Sequence, residues 1–287
     1  MNQIEVRKED EYQHTPIDDP LFWENYHFNA FDPVHNIGIT TYTAIKPGPA
    51  MREEIIAVYP EPFFFCNQTP LQKDVLKSGS LRMEPVEPLK KWNISMNDAF
   101  QTVKNDILSD NVKEIEFDLL FESDIPPFGY STHRGDRYEQ PGSLKGNITI
   151  EGRTLQFNGR GIRDHSWEIR FVPDWGEWYG LMGCFESGFL TCAYMDMGGQ
   201  NVCQGWMRTD HYTEIKAVGL HPVFSGNLLK KCHIDIETAE RTLELNTQLI
   251  SYVLLSMGEE QERSKVTETL VTFDEGGHGF LWYGGDL

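Results

Sequence analysis

The chain has 287 residues, with 25 Lys and Arg against 44 Asp and Glu and a formal net charge of −19. A surface this acidic repels phosphate backbones and anionic lipid, so nucleic acid and membrane surfaces are excluded as expected partners. A hydrophobic fraction of 39% with 12% aromatic residues supports a packed core and excludes disorder.

Residues 1–10 are polar and carry no apolar stretch of the kind a secretory signal needs. No apolar run approaches the roughly 20 residues of a membrane-spanning helix. Cys66, Cys184, Cys192, Cys203 and Cys232 form an odd set without CxxC spacing, against both a disulfide framework and a zinc ribbon. The expectation is a cytoplasmic protein with ordinary buried thiols and no integral membrane segment.

Along the chain, short runs of β-branched and aromatic residues are separated by glycine, proline and aspartate. Residues 28–31 and 37–43 read as strands around the turn Asp32-Pro33, followed by 54–59 and 63–65, which Pro60 and Pro62 divide. Residues 97–108 could carry a short helix, although Asp98 and Asp106 weaken its apolar face. Residues 115–121 alternate with a period of two, and 143–150 with 154–157 form a hairpin candidate around Glu151-Gly152. Further strands are expected at 177–184, 189–196, 202–209, 231–237, 241–250 and 266–273. Many short strands at this spacing imply an all-β barrel or sandwich. The boundary between two halves is placed in the region 152–161, giving domains 1–157 and 158–287.

The densest chemistry lies in Gly159-Arg160-Gly161-Ile162-Arg163-Asp164-His165-Ser166-Trp167. On an extended segment Arg163, His165 and Trp167 share one face, and Asp164, Ser166 and Glu168 the other. A titratable imidazole beside an aromatic wall can handle a proton in an apolar pocket. A structural corner explains the segment equally well: Asp164 pairs with Arg163 or Arg170, Trp167 fills the core and His165 binds a carbonyl.

A second stretch, Ala193-Tyr194-Met195-Asp196-Met197, places Tyr194 and Asp196 on one strand face that Leu190 and Cys192 make apolar. A carboxyl there is disfavoured as an anion and can stay a proton donor near neutral pH, with Tyr194 orienting it. Alternatively, Asp196 caps the turn before Gly198-Gly199. The segment 133–139 reads as a solvated loop in which Tyr138 and Glu139 could flank a pocket mouth. Trp175, Trp178 and Tyr179 around Gly176 are read either as cavity wall or as core. No GxGxxG, P-loop, HExxH or GxSxG pattern occurs. His211, His221, His233 and His278 show no metal-ligand spacing, so neither a metal nor another cofactor is expected.

Several motifs resemble the lipocalin-related superfamily of carotenoid hydratases and AttH-type proteins, in a branch described mainly as domains of unknown function. The carriers are Trp23-Glu24-Asn25-Tyr26-His27-Phe28-Asn29-Ala30-Phe31-Asp32-Pro33, Leu81-Arg82-Met83-Glu84-Pro85 onward to Trp92, Tyr138-Glu139-Gln140-Pro141-Gly142, Asp164-His165-Ser166-Trp167 and Gly279-Phe280-Leu281-Trp282-Tyr283-Gly284. The resemblance implies two tandem lipocalin-like β-barrels with a ligand cavity at or near their junction. Carried over by position, the catalytic residues are His165 and Trp167 of the Asp-His-x-Trp motif and Tyr194 and Asp196 of a Tyr-x-Asp pair. Arg163, Asp164, Trp178 and Glu139 are assigned to substrate binding. Glu168 stands where relatives usually have glycine.

The function expected from this is a cofactor-independent lyase or isomerase, a hydratase or terpene-type cyclase acting on a hydrophobic unsaturated substrate such as an isoprenoid or polyene. Asp196 would protonate a carbon–carbon double bond, Trp167 and Tyr194 would face the carbocation, and His165 would activate water or remove the closing proton. The alternatives are a shape-guided pericyclic cyclase of Diels–Alder type and a non-catalytic carrier of a hydrophobic ligand.

Overall fold

In a computed structural model, which describes residues 2–104, 107–132, 134–170, 177–196, 201–225, 228–257 and 264–285, the alternating runs form antiparallel strands in two units. These units are Met1–Arg170 and Phe171–Leu287. The first contains β1 (Asn2–Ile4), β2 (Phe22–Asp32), β3 (Ile37–Lys46), β4 (Met51–Tyr59), β5 (Phe63–Pro70), β6 (Arg82–Glu87), β7 (Lys91–Lys104), β8 (Ile107–Glu122), β9 (Phe128–Ser131), β10 (Gly135–Ile150) and β11 (Arg153–Ile169). Hydrogen bonding runs β10-β11-β2-β3-β4-β5-β7, and β8 pairs with both β7 and β10. That last pairing closes a ring of eight strands; β1, β6 and β9 are additions to it.

The second unit contains β12 (Trp178–Phe185), β13 (Gly188–Asp196), β14 (Asn201–Arg208), β15 (Tyr212–Ser225), β16 (Leu228–Thr238), β17 (Thr242–Met257), β18 (Ser264–Phe273) and β19 (His278–Gly285). They pair in sequence order, and β19 returns to β12 to close the barrel. The protein thus has the two tandem lipocalin-like barrels that the sequence motifs imply.

Local chemistry explains the connections. Asp32 ends β2 by accepting hydrogen bonds from the backbone N–H of Val34 and His35, so the chain turns at Pro33, outside the paired strand. Glu151 and Gly152 both adopt positive φ, as a tight two-residue hairpin requires, and β10 and β11 pair from Ile150↔Arg153 onward. Gly161 has a different purpose. A Cβ there would lie 1.7 Å from the Asn29 carbonyl oxygen of β2, so only glycine lets these two backbones meet.

Several sequence expectations are corrected. The described part of residues 97–108 forms no helix: Lys91–Lys104 is strand, with Trp92, Ile94, Met96 and Phe100 all buried in the first core. Their spacing by two and by four suits a pleated strand, and the cross-strand partners on β8 decide the outcome. Residues 135–139 are the start of β10, and Tyr138 and Glu139 are buried. The boundary placed at residues 157 and 158 falls inside β11, which continues to Ile169. Cys66 is exposed, whereas Cys184, Cys192 and Cys232 are buried, and none of the five is joined in a disulfide. No helix among the described residues is long and apolar enough to cross a membrane.

Candidate functional site

The strand β11 presents Arg163, His165 and Trp167 to the interior of the first barrel. Its neighbours fix what they meet: His165 lies opposite Tyr26 on β2 and Tyr138 on β10, and Trp167 lies opposite Glu24. The His165 ring stacks on Tyr26 with centroids 4.0 Å apart and planes 23° from parallel. Its Nε2 lies 3.0 Å from Oε1 of Glu24, and its Nδ1 3.4 Å from the Tyr138 hydroxyl. Glu24, Tyr26, Tyr138 and His165 are almost fully buried.

The irregular segment before β2 completes the cluster. His14 donates its backbone N–H to Glu24 and sets Nδ1 2.8 Å from the same carboxylate oxygen. Its ring then stacks on Trp167. Three residues earlier, Glu11 closes a short turn and inserts a carboxylate into the barrel. Arg163 Nη2 lies 2.5 Å from Glu11 Oε1, the Tyr138 hydroxyl donates to that oxygen at 2.6 Å, and Trp92 Nε1 donates to Oε2 at 2.5 Å. Arg163 also bonds the Gln140 side-chain oxygen at 2.8 Å and lies over the Trp92, Phe121 and Tyr138 rings.

The electrostatics follow from these contacts. Burial alone would raise the Glu11 carboxyl, but the Arg163 guanidinium and the hydrogen bonds from Arg163 and Tyr138 outweigh it and hold the group below the usual carboxylate range. Burial likewise opposes ionisation of Glu24, and hydrogen bonds from His14 and His165 again reverse the sign. Burial pushes the Tyr138 hydroxyl well above an ordinary phenol; Arg163 opposes that shift and Glu11 adds to it. The site is therefore two anionic carboxylates and one guanidinium, joined through Tyr138 and an imidazole.

The two faces of the motif separate as the alternation requires, but the assigned roles divide with them. Arg163, His165 and Trp167 come together. Asp164 lies on the opposite face, where Arg137 donates to it and to Glu139, its direct cross-strand neighbour. Asp164 thus pairs with Arg137 rather than Arg163 or Arg170. Neither Asp164 nor Glu139 shares the His165 face, as strand alternation requires. Glu168 is on that other face too, ion-paired with Arg170 at 2.8 Å, so the carboxylate in place of glycine does not approach the imidazole.

Tyr194 and Asp196 belong to the second unit. Leu190 and Cys192 on β13 point into its core, and Tyr194 continues that face with its ring 6.3 Å from Tyr179. Asp196 is half-buried at the end of the strand and bonds its backbone N–H to the Glu177 carbonyl. Trp178 lies on the face opposite Tyr179 and packs over Gly284. Trp175, Gly176, Met197, Gly198 and Gly199 lie outside the described residues.

Sequence reasoning missed Glu11, His14, Glu24 and Tyr26 as parts of the site and named Tyr138 only as a candidate flank of a pocket mouth. Glu24, Tyr26 and Phe28 carry a usable signal, a period-two alternation within the first resemblance motif. Glu11 and His14 carry none, because their segment has no periodicity.

Two consecutive antiparallel eight-stranded rings, with the Asp164-His165-Ser166-Trp167 strand built into the first, give the chain a fold similar to that of AttH-like proteins. The chain belongs to the family described as Domain of unknown function (DUF7064), whose profile matches residues 7–284. Similar solved structures include an AttH-like protein from Nitrosomonas europaea, 12% identical with a TM-score of 0.61 over 94% of this chain and 97% of that one. Kievitone hydratase from Nectria haematococca is 9% identical, with a TM-score of 0.60 over 98% of this chain and 93% of that one. CghA, also solved with Sch210972, is 10% identical in its own structure, with a TM-score of 0.62 over 93% of this chain and 88% of that one. At such identities the likeness shows the fold. No curated protein matches the sequence.

Proposed function

We propose that the protein is an enzyme that hydrates or cyclises a hydrophobic, unsaturated small molecule, with proton transfer at His165. The observation that carries this reading is an imidazole held at both ring nitrogens, Nε2 by Glu24 and Nδ1 by Tyr138, against the face of Tyr26. A fixed imidazole beside aromatic surface suits both removal of a proton and activation of water. The half-buried Trp167 indole adds a π face, which attracts a developing carbocation by about 2 kcal/mol when desolvated. That a solved structure of this fold is named a hydratase is consistent with the addition of water.

Glu11 and Glu24 are both held below the ordinary glutamate range, so neither is a proton donor near neutral pH. The acid assigned by the sequence is Asp196, and that assignment carries its own test in the second unit.

The experiment begins with organic extraction of the purified protein and mass spectrometry of any lipophilic compound recovered. That compound and related polyenes are then incubated with the protein in heavy-oxygen water. Incorporation of one labelled oxygen identifies hydration, and an isomer of unchanged mass identifies cyclisation. Recovery of every compound unaltered would overturn the enzymatic reading in favour of a carrier.

A further inference from the structure

One carboxylate oxygen receives two imidazoles. Oε1 of Glu24 lies 2.8 Å from His14 Nδ1 and 3.0 Å from His165 Nε2, and ligand atoms of the three residues all lie within 4.8 Å of one another. The Tyr138 hydroxyl donates to Glu11 at 2.6 Å and lies 3.4 Å from Nδ1 of His165, so that nitrogen has a polar partner of its own while Nε2 faces the carboxylate shared with His14.

We propose that His14, Glu24 and His165 form a binding site for one divalent transition-metal ion, with zinc as the fitting cation. Two imidazoles and one carboxylate are the donor set of zinc sites that keep a fourth position for water. The outward nitrogens fit as well. Metal-bound histidines characteristically give their second N–H to a carboxylate or another polar group. His14 Nε2 faces Asp10 Oδ1 at 3.7 Å, and His165 Nδ1 faces Tyr138, which is itself held by Glu11. Tetrahedral zinc with bonds of about 2.0–2.1 Å spaces its ligand atoms roughly 3.3 Å apart, so the two carboxylate–nitrogen distances of 2.8 and 3.0 Å must open by a few tenths of an ångström and the two nitrogens, within 4.8 Å of each other, must settle to the same spacing. His14 can supply that movement, because it lies on an irregular segment with its side chain 22% exposed. The same exposure gives an ion and a water molecule a way in. This inference goes beyond the proposed reaction and does not depend on it; were both true, metal-bound water would take over the role given to the imidazole.

The test uses the full chain, stripped with chelator and dialysed. Zinc is titrated by calorimetry, and cobalt(II) is followed by its visible absorption. We expect one zinc per chain, a four-coordinate cobalt spectrum that zinc abolishes, and affinity weakened on the order of a hundredfold in His14→Ala. Circular dichroism of His14→Ala should match wild type, since this side chain is the least buried of the three. Glu24→Gln should weaken binding as strongly. The exposed His221, His233 and Asp235 cluster of the second unit is the competing site, with contacts of 2.9 and 3.1 Å. A His221→Ala, His233→Ala double variant should therefore bind as wild type does. The proposal is overturned if the wild type gives no four-coordinate cobalt spectrum, or if binding survives His14→Ala and disappears in the double variant.

Discussion

The imidazole of His14 lies flat against the indole of Trp167, their centroids 3.8 Å apart and their planes 16° from parallel. This contact ties the irregular segment before β2 to the motif strand, and Glu11 anchors the same segment deeper in the barrel. The N-terminal residues are thus part of the site's wall. Glu11 bears most of that anchoring, because it meets the buried Arg163 guanidinium directly.

Replacing Glu11 with alanine leaves Arg163 buried without its charge partner, which costs about 3–5 kcal/mol. Combining Glu11→Leu with Arg163→Met should recover most of that loss, since an apolar pair of similar volume needs no counter-charge. Urea unfolding of the two single variants and the double variant measures the coupling. Equal, additive losses would mean that the pair contributes nothing beyond packing.

Gly161→Ala places a methyl group 1.7 Å from the Asn29 carbonyl oxygen, so β2 and β11 must separate locally. Overpacking of this kind costs about 1–3 kcal/mol or more, and here it falls one turn of the pleat from Arg163. Thermal unfolding should show a lower Tm, whereas Gly152→Ala, where nothing lies within 4 Å, should lose only the cost of its positive φ.

Acid should weaken the protein before its carboxylates titrate. Burial pushes His27 down to about 4, with Asp164 opposing the shift and Arg137 and Arg170 adding to it. The unfolded chain takes up that proton near pH 6.5, so the contribution is complete above 6.5, declines as pH falls, and is gone below about 4. A shift from 6.5 to about 4 corresponds to about 3 kcal/mol. Urea midpoints of wild type and His27→Gln, compared at neutral pH and near pH 4.5, should converge as the wild type loses more. Parallel declines in the two proteins would remove His27 from the account. Glu11, held below its ordinary range, adds a further loss only as pH falls below about 4.5.

The legible part of the fold followed from period two. Arg163, His165 and Trp167 share a face because strand alternation leaves them no other choice, and the hairpin at Glu151-Gly152 follows from its positive-φ residues. The same periodicity misled at residues 97–108, where a spacing of four, as between Met96 and Phe100, is a strand repeat and almost a helical one. The alternation that turns His165 to one side sends Asp164 and Glu139 to the other, where Arg137 pairs with both. Glu11 and His14 were illegible, because an irregular segment finds its place only through long-range partners.

The catalytic assignment rests last on three substitutions with different signatures. His165→Gln preserves much of the ring's volume and one hydrogen-bonding group but cannot carry a proton, so kcat should fall by about 10²–10⁴-fold. Far-ultraviolet circular dichroism and Tm report whether the variant still folds. Trp167→Phe keeps an aromatic face but reduces it, which should shift product distribution more than it lowers turnover, because the indole is the better cation partner. Asp196→Asn should abolish turnover while ligand affinity and folding persist, as expected of a proton donor. Wild-type rates in Asp196→Asn would transfer the acid's role to the first barrel, where His165 and Tyr138 are in place. In that event Tyr138→Phe becomes the decisive variant: it removes the hydroxyl between Nδ1 of His165 and Oε1 of Glu11, so loss of activity with intact binding would mark the proton's path.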